Sequence, residues 1–308
     1  MVKISLWLTL YTIWVNDGFP LRYNPSYCLL SCTEGAKTRS KRLSLLFVFL
    51  VSVVQTGVAL ASDQLIEMQY AEKIESYVGL GKNLWLTTPQ GRFLSLYTET
   101  ERPGNKGTAI LLHARNSHPG QGWFIESSRY YLAEHNWASL AIQLPVLGIV
   151  ADQDDYFDYF EEARQRIQKA VDFLQSGKAR NIVLIGQDMG AMMACYYLAQ
   201  AEPKFQRAIA ALVAVSLPVF ETEHPKGQIL DYMHTIDKPF LDIYLDTDLS
   251  DVVNSARERR VAAKSNTDYR QTMLREGTYR NQPDDELLVK RVYSWLVLQL
   301  ANSSSGMP

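Results

Sequence analysis

The 308-residue sequence predicts an α/β domain: a mostly parallel central sheet with helices on both faces and an antiparallel hairpin at its N-terminal side. Three observations carry that prediction. Short apolar runs recur at 108–113, 138–144, 181–185, 210–215 and 240–245, without the alternation expected of a sheet with one wet face. Segments with helical periodicity separate them. One apolar run passes straight into a helix through Gly186-Gln187-Asp188-Met189-Gly190.

The elements follow in order. Residues 63–75 form a lead-in helix. Leu84–Thr87 and Phe93–Tyr97 flank Thr88-Pro89-Gln90-Gly91, a turn sequence that makes them a hairpin. Residues 122–135 read as a helix, and 157–174 as another, with apolar positions at 157, 160, 163, 167, 170, 171 and 174. Residues 189–201 and the closing 284–300 complete the helices. In such sheets ligands sit beyond the carboxyl ends of the strands. The loops after His113, Leu144, Ile185, Val215 and Leu245 are therefore the ones expected to carry chemistry.

The composition is that of a folded globular chain, 47% hydrophobic and 21% charged. It excludes a disordered tail, a collagen-like repeat and a polytopic membrane protein. Lys+Arg at 31 against Asp+Glu at 33 leaves no basic surplus, so no nucleic-acid partner is expected.

The N-terminal fifth differs. Lys37, Arg39, Lys41 and Arg42 precede an uncharged run from Leu43 to Ala61 that ends Ala59-Leu60-Ala61, the pattern of a signal-peptide cleavage site. Residues 37–61 are read as a signal peptide cut after Ala61, with a membrane anchor as the alternative if residues 43–61 are retained. Ser52, Gln55, Thr56 and Gly57 favour cleavage. Residues 1–36 are read as an over-extended reading frame, with the true start near Lys37, or as a disordered leader. Residues 62–308 then form a single domain with net charge −6 and one cysteine, Cys195, expected to be packed in a helix. The expected location is periplasmic, or membrane-anchored and facing the periplasm if the anchor stays.

The segment 185–191 has the strand-turn-helix context of a nucleophile elbow, G-x-Ser-x-G, with Asp188 where Ser is expected. Here the chain resembles the α/β-hydrolase superfamily. More narrowly, it resembles an exported bacterial α/β-hydrolase-like family catalogued as a domain of unknown function. The segments that carry the likeness are LLHARNSHPG, WASLAIQLPV, NIVLIGQDMGA and RVYSWL, and it covers about residues 64–300.

The resemblance implies roles. The His113-Ala114 segment matches the loop that supplies one oxyanion-hole N–H, and Met189 supplies the other, with Gln187 and Gly190 completing the elbow. Asp248 stands where the acid of a triad falls, with Asp246 as its competitor. A triad also needs a histidine near residues 275–283, and no histidine occurs after His234. Hydrolases with an elbow aspartate still require an imidazole to activate water. His113 and His118 on the oxyanion loop are the nearest substitutes. His224 and His234 fall in the long 217–239 connection, which is long enough to act as a lid, and His135 reads as a surface residue.

Two readings stand: a degenerate hydrolase that binds, and an active ester, epoxide or haloalkane hydrolase using Asp188. A third is an anchored interaction module. No cofactor and no metal site is expected. The acidic run Asp152–Glu162 reads as a solvated helix start. The expected ligand is small and apolar or acyl. Trp123, Phe124, Trp137 and Tyr156 are candidates to flank its mouth.

Overall fold

The computed structural model describes residues 62–76, 79–101, 104–275 and 284–305. The chain divides into two units, residues 1–57 and 58–308, and all described residues belong to the second. The leader, the signal segment and residues 276–283 lie outside the described residues.

Helix α1 (Gln64–Ser76) leads into the hairpin of β1 (Lys82–Thr88) and β2 (Gly91–Thr98). There follow β3 (Gly107–Leu112), α2 (Trp123–Glu134), β4 (Trp137–Ile142), α3 (Gln153–Phe157), α4 (Phe160–Ser176), β5 (Ile182–Gln187) and α5 (Met189–Gln200). The rest is α6 (Pro203–Gln206), β6 (Ile209–Val215), α7 (Ile229–Thr235), β7 (Phe240–Leu245), α8 (Ser250–Val253), α9 (Ala256–Ala262), β8 (Tyr269–Leu274) and α10 (Asp284–Ser305).

The eight strands form one sheet in the order β1-β2-β4-β3-β5-β6-β7-β8. The β1–β2 and β2–β4 pairs are antiparallel and the others parallel. The predicted fold class is the observed one. Strict alternation within the apolar strands divides the core in two. Ile110, Leu112, Leu184 and Leu212 face a cluster with Ile167 and Val171 of α4 and the side chains of α5. Ala109, Leu111, Val183 and Val213 face the opposite cluster, with Phe124 and Leu132 of α2 and Leu288, Val292 and Leu296 of α10. Both faces are dry, which is why these strands read as unbroken apolar runs.

Several boundaries differ from the sequence reading. The expected helix 157–174 is α4 with a later start, at Phe160; Phe157 ends the separate short helix α3, and Asp158-Tyr159 divides the two. Asp152 caps α3 by accepting N–H bonds from Asp154 and Asp155, so the acidic run is a helix start. The 217–239 connection carries α7, which packs against α5 and α9. Strand β8 has no counterpart in the sequence reading. It is a half-exposed edge strand, YRQTML, without an apolar run.

That edge is held by a buried charge. Asp242 of β7 accepts bonds at its Oδ2 from Arg259 Nε at 2.8 Å, Tyr269 OH at 2.7 Å and Gln271 Nε2 at 2.9 Å. Arg259 and Asp242 are both completely buried. Breaking such a pair from one side leaves an uncompensated charge in the core. Arg259→Met should lower stability by about 3–5 kcal/mol in urea unfolding. Adding Asp242→Asn to it should recover much of that loss, because the stranded carboxylate is then gone. A double variant no more stable than Arg259→Met would show that packing, not charge, is what Arg259 supplies.

Candidate functional site

Strand β5 ends at Gln187 and α5 begins at Met189, so Asp188 alone makes the turn. Its φ of 52° and ψ of −123° are strained for a residue with a Cβ, a cost of about 1–3 kcal/mol. The surroundings hold it there. Its N–H donates to the Val215 carbonyl at 2.9 Å, and its own carbonyl accepts from Ala191 and Met192. The two elbow glycines permit the approach: a Cβ on Gly190 would lie 2.5 Å from the Leu112 and His113 carbonyl oxygens. A Cβ on Gly186 would lie 2.6 Å from the Gly190 carbonyl oxygen.

This packing aims two backbone donors at one carboxylate. Asp188 Oδ2 accepts the Arg115 N–H at 3.2 Å, and the Met189 N–H stabilises the same group. The two donors converge on one point in the arrangement an oxyanion hole would require, and the side chain of Asp188 occupies that point. From the loop after β3, the donor that reaches Asp188 is Arg115, one residue beyond the expected His113-Ala114 segment. Burial raises the Asp188 pKa, the two N–H groups and the Arg115 charge oppose that, and repulsion from Asp248 adds to it. The net direction is upward, so its carboxyl holds a proton more readily than a free aspartate.

Asp248 therefore lies close enough to Asp188 to repel it. Its Oδ2 accepts from Ser216 Oγ and from the Leu245 N–H, both at 2.8 Å. Ser216 follows β6 with a positive φ of 51°. In the sequence, Ser216 is marked only by its place in the loop after Val215. Asp246 is exposed, and its N–H bonds the Leu274 carbonyl of β8.

All five histidines fall among the described residues, and each bonds elsewhere. His113 Nδ1–H donates to the Ala114 carbonyl at 2.8 Å, which leaves Nε2 to accept the Leu144 N–H at 2.9 Å, with Gln143 Nε2 3.0 Å away. The ring is a strut between the loops after β3 and β4, and burial holds its pKa down at about 3. Neither nitrogen is left for a reacting proton. His118 Nδ1 accepts from the Gly120 N–H, and the ring packs on Tyr70 with centroids 4.8 Å apart. Burial beside Lys73 lowers its pKa to about 4. His224 meets Asp158 at 3.2 Å, His234 Nδ1 lies 3.3 Å from the Ala262 carbonyl, and His135 stacks on Tyr131.

The oxyanion loop has a second support that the sequence did not reveal. The buried Tyr156 OH donates to Asn116 Oδ1 at 2.8 Å and accepts the Leu147 N–H at 3.2 Å. Asn116, at φ 55°, is the bend that turns Arg115 toward Asp188. Phe124 is core, and Trp137 opens β4 at its amino end, stacked where a Gly107 Cβ would go. Trp137 is thus at the opposite end of the parallel strands from the elbow and does not flank the mouth. A separate cavity of about 510 Å³ lies between α1, the hairpin and α2, lined by Lys73, Leu96, His118 and Arg129 among others. Asp188 is not among its lining residues. Among the described residues no group of three His, Cys, Asp or Glu could hold a metal ion.

With this geometry in view, the chain can be set beside known proteins. The model of a family described as protein of unknown function (DUF3530) matches residues 150–297. No curated protein matches the sequence. An esterase of Pyrococcus furiosus, Pf2001, is 18% identical, with a TM-score of 0.55 over 71% of this chain and 92% of its own. Est1E of Butyrivibrio proteoclasticus is 15% identical, with a TM-score of 0.55 over 71% and 99%. A soluble variant of monoglyceride lipase from Saccharomyces cerevisiae is 9% identical, also at 0.55, over 72% and 96%. The fold is that of the α/β-hydrolases. At these identities the likeness concerns fold alone.

Two consequences follow. Gly190→Ala should cost about 3 kcal/mol or more, because the new methyl meets backbone oxygens that cannot move aside. A thermal or urea midpoint within error of the parent would show that α5 is free to slide. The second concerns pH. His113 has a folded pKa of about 3 against about 6.5 unfolded, so its stabilisation is complete above pH 6.5 and declines as pH falls toward 3. Between pH 7 and pH 5 the parent should lose about 2 kcal/mol more than His113→Gln. Parallel pH profiles for the two would mean that the native ring accepts a proton freely.

Proposed function

We propose that this is an exported, degenerate α/β-hydrolase that binds a small apolar or acyl group instead of turning it over. One observation carries the reading: the elbow aspartate fills its own oxyanion hole, and none of the hydrogen bonds that the five histidines make goes to Asp188 or Asp248. A carboxylate can attack an electrophile and form an ester, but the ester is released only if a base activates water. The charged neighbours of Asp188 are Arg115, which attracts it, and Asp248, which repels it, and among the described residues no imidazole bonds to either aspartate. The export half of the proposal rests on the basic cluster and the Ala59-Leu60-Ala61 site. No helix among the described residues is long and apolar enough to cross a membrane.

A second reading, an active hydrolase working through Asp188, is favoured by one feature. Holding Oδ2 on backbone N–H groups places one carboxylate oxygen where the carbonyl oxygen of an ester intermediate would need stabilisation. Purified protein offered short acyl esters, haloalkanes and epoxides distinguishes the two. We expect no multiple turnover, and at most a stoichiometric adduct on Asp188 detectable by mass. Sustained turnover abolished by Asp188→Asn would refute the degenerate reading. Asp188→Asn should also fold normally, with a melting temperature equal to or above the parent, since it removes a buried charge whose pKa burial raises.

A further inference from the structure

The first described residue, Ser62, is buried, at 4% exposure, in a knot of charge. Its backbone N–H donates to Glu162 Oε2 at 3.1 Å. Its Oγ bonds Glu67 Oε1 at 2.5 Å and Glu162 Oε1 at 3.1 Å. Arg166 Nη2 lies 3.0 Å from Glu67 Oε2 and 2.5 Å from Glu162 Oε1. All three charged side chains are under a tenth exposed, so two carboxylates face one guanidinium and the group carries an excess negative charge. Buried charge is tolerated when paired, and an unbalanced carboxylate in such a place is costly. Burial in fact pushes the Glu67 pKa up despite Arg166 beside it.

The residue that donates its backbone nitrogen to this group is also the one that follows Ala59-Leu60-Ala61. We propose that Ser62 is the mature N-terminus and that its α-ammonium is the missing fourth charge of the Glu67–Glu162–Arg166 cluster. The inference rests on the export reading and deepens it. Hydrolysis of the Ala61–Ser62 peptide bond consumes one water, leaves a carboxylate on Ala61 and frees an amine on Ser62. That amine is cationic at neutral pH and has three donors where the amide had one. At the position of the Ser62 nitrogen it meets Glu162, making a charge-assisted bond, and the cluster becomes neutral.

Its reach extends to the site. Arg166 Nη1 donates to the Gln143 carbonyl at 3.1 Å, and Gln143 stands beside His113, the strut of the oxyanion loop. Glu67 Oε1 also accepts the Val146 N–H, and the Asp63 N–H bonds the Val146 carbonyl. A new N-terminus set in this cluster thus braces the loop after β4.

The test uses the full chain, produced in an export-competent bacterial host, in two steps. N-terminal sequencing and intact mass should place the start at Ser62; a retained leader or a different start refutes the cleavage reading and the cluster with it. The purified protein is then treated with an amine-acetylating reagent near neutral pH, and the N-terminal peptide is followed by mass spectrometry. The Ser62 amine should react at least tenfold more slowly in the folded protein than in urea. A protein that starts at Ser62 but acetylates at the unfolded rate overturns the cluster assignment while leaving export intact. A variant with one glycine inserted after Ala61 adds a second readout. It displaces the ammonium from Glu162, and its melting temperature should fall below the parent's; no change counts against the proposal.

Discussion

The site depends on how closely α5 approaches β3. With Gly190 so near that a single methyl would overlap the Leu112 and His113 carbonyl oxygens, the first turn of α5 sits directly over the carboxyl ends of the central strands. That placement sets the elbow angle at Asp188, exposes the Met189 N–H and brings the Arg115 N–H to the same point. The helix is apolar on nearly every side, with its residues from Met189 to Leu198 all buried. It is clamped between the sheet, α4 and α7 and has no wet face by which to rotate. The positive end of its dipole then meets a carboxylate, which favours the charged form against the burial that opposes it.

Apolar packing specifies the middle of this sheet, but it specifies the periphery less well. The edge strand β8 is half exposed, and α1 buries little along its length. Both are tied in by buried charge. Asp242 and Arg259 join β7, β8 and α9, while Arg166 joins the start of α1, α4 and the loop after β4. Such groups contribute less to net stability than to geometry, because their desolvation offsets much of their attraction. They also define position: a carboxylate accepting three or four directed bonds tolerates little displacement.

The sequence made the sheet legible because both of its faces are dry. Runs such as Thr108–Leu112 and Ile182–Ile185 are apolar at nearly every step, and that signal survives without tertiary information. The elbow was legible for a related reason: Gly186 and Gly190, flanking a small polar residue between strand and helix, mark a turn too tight for a Cβ on either side. What stayed hidden was anything created by contact between distant segments. Tyr156 acts on Asn116 across 40 positions, and Glu67 and Arg166 meet across 99; neither spacing leaves a periodic trace. Strand β8 was hidden because its partner is an acid in a neighbouring strand, not an apolar neighbour in its own sequence. His113 illustrates the converse. It lies within the expected oxyanion segment, yet its tautomer follows from the Ala114 carbonyl and the Leu144 N–H, and its low pKa from burial, which only the folded chain supplies.

These relations bear on what a hydrolase fold implies. The convergence of the Met189 and Arg115 N–H groups on Asp188 is a by-product of helix placement, so it persists as long as Gly190 packs against β3. A general base has no such guarantee, because it hangs on one side chain at the end of a loop and can be lost without disturbing the core. A hole left open in a buried setting has unpaired donors, which is itself unfavourable. An aspartate at the elbow resolves that by supplying an internal anion. The strand, the elbow turn and the two converging N–H groups are thus fixed together by one close approach of helix to sheet, and what those N–H groups stabilise in this chain is the side chain of Asp188.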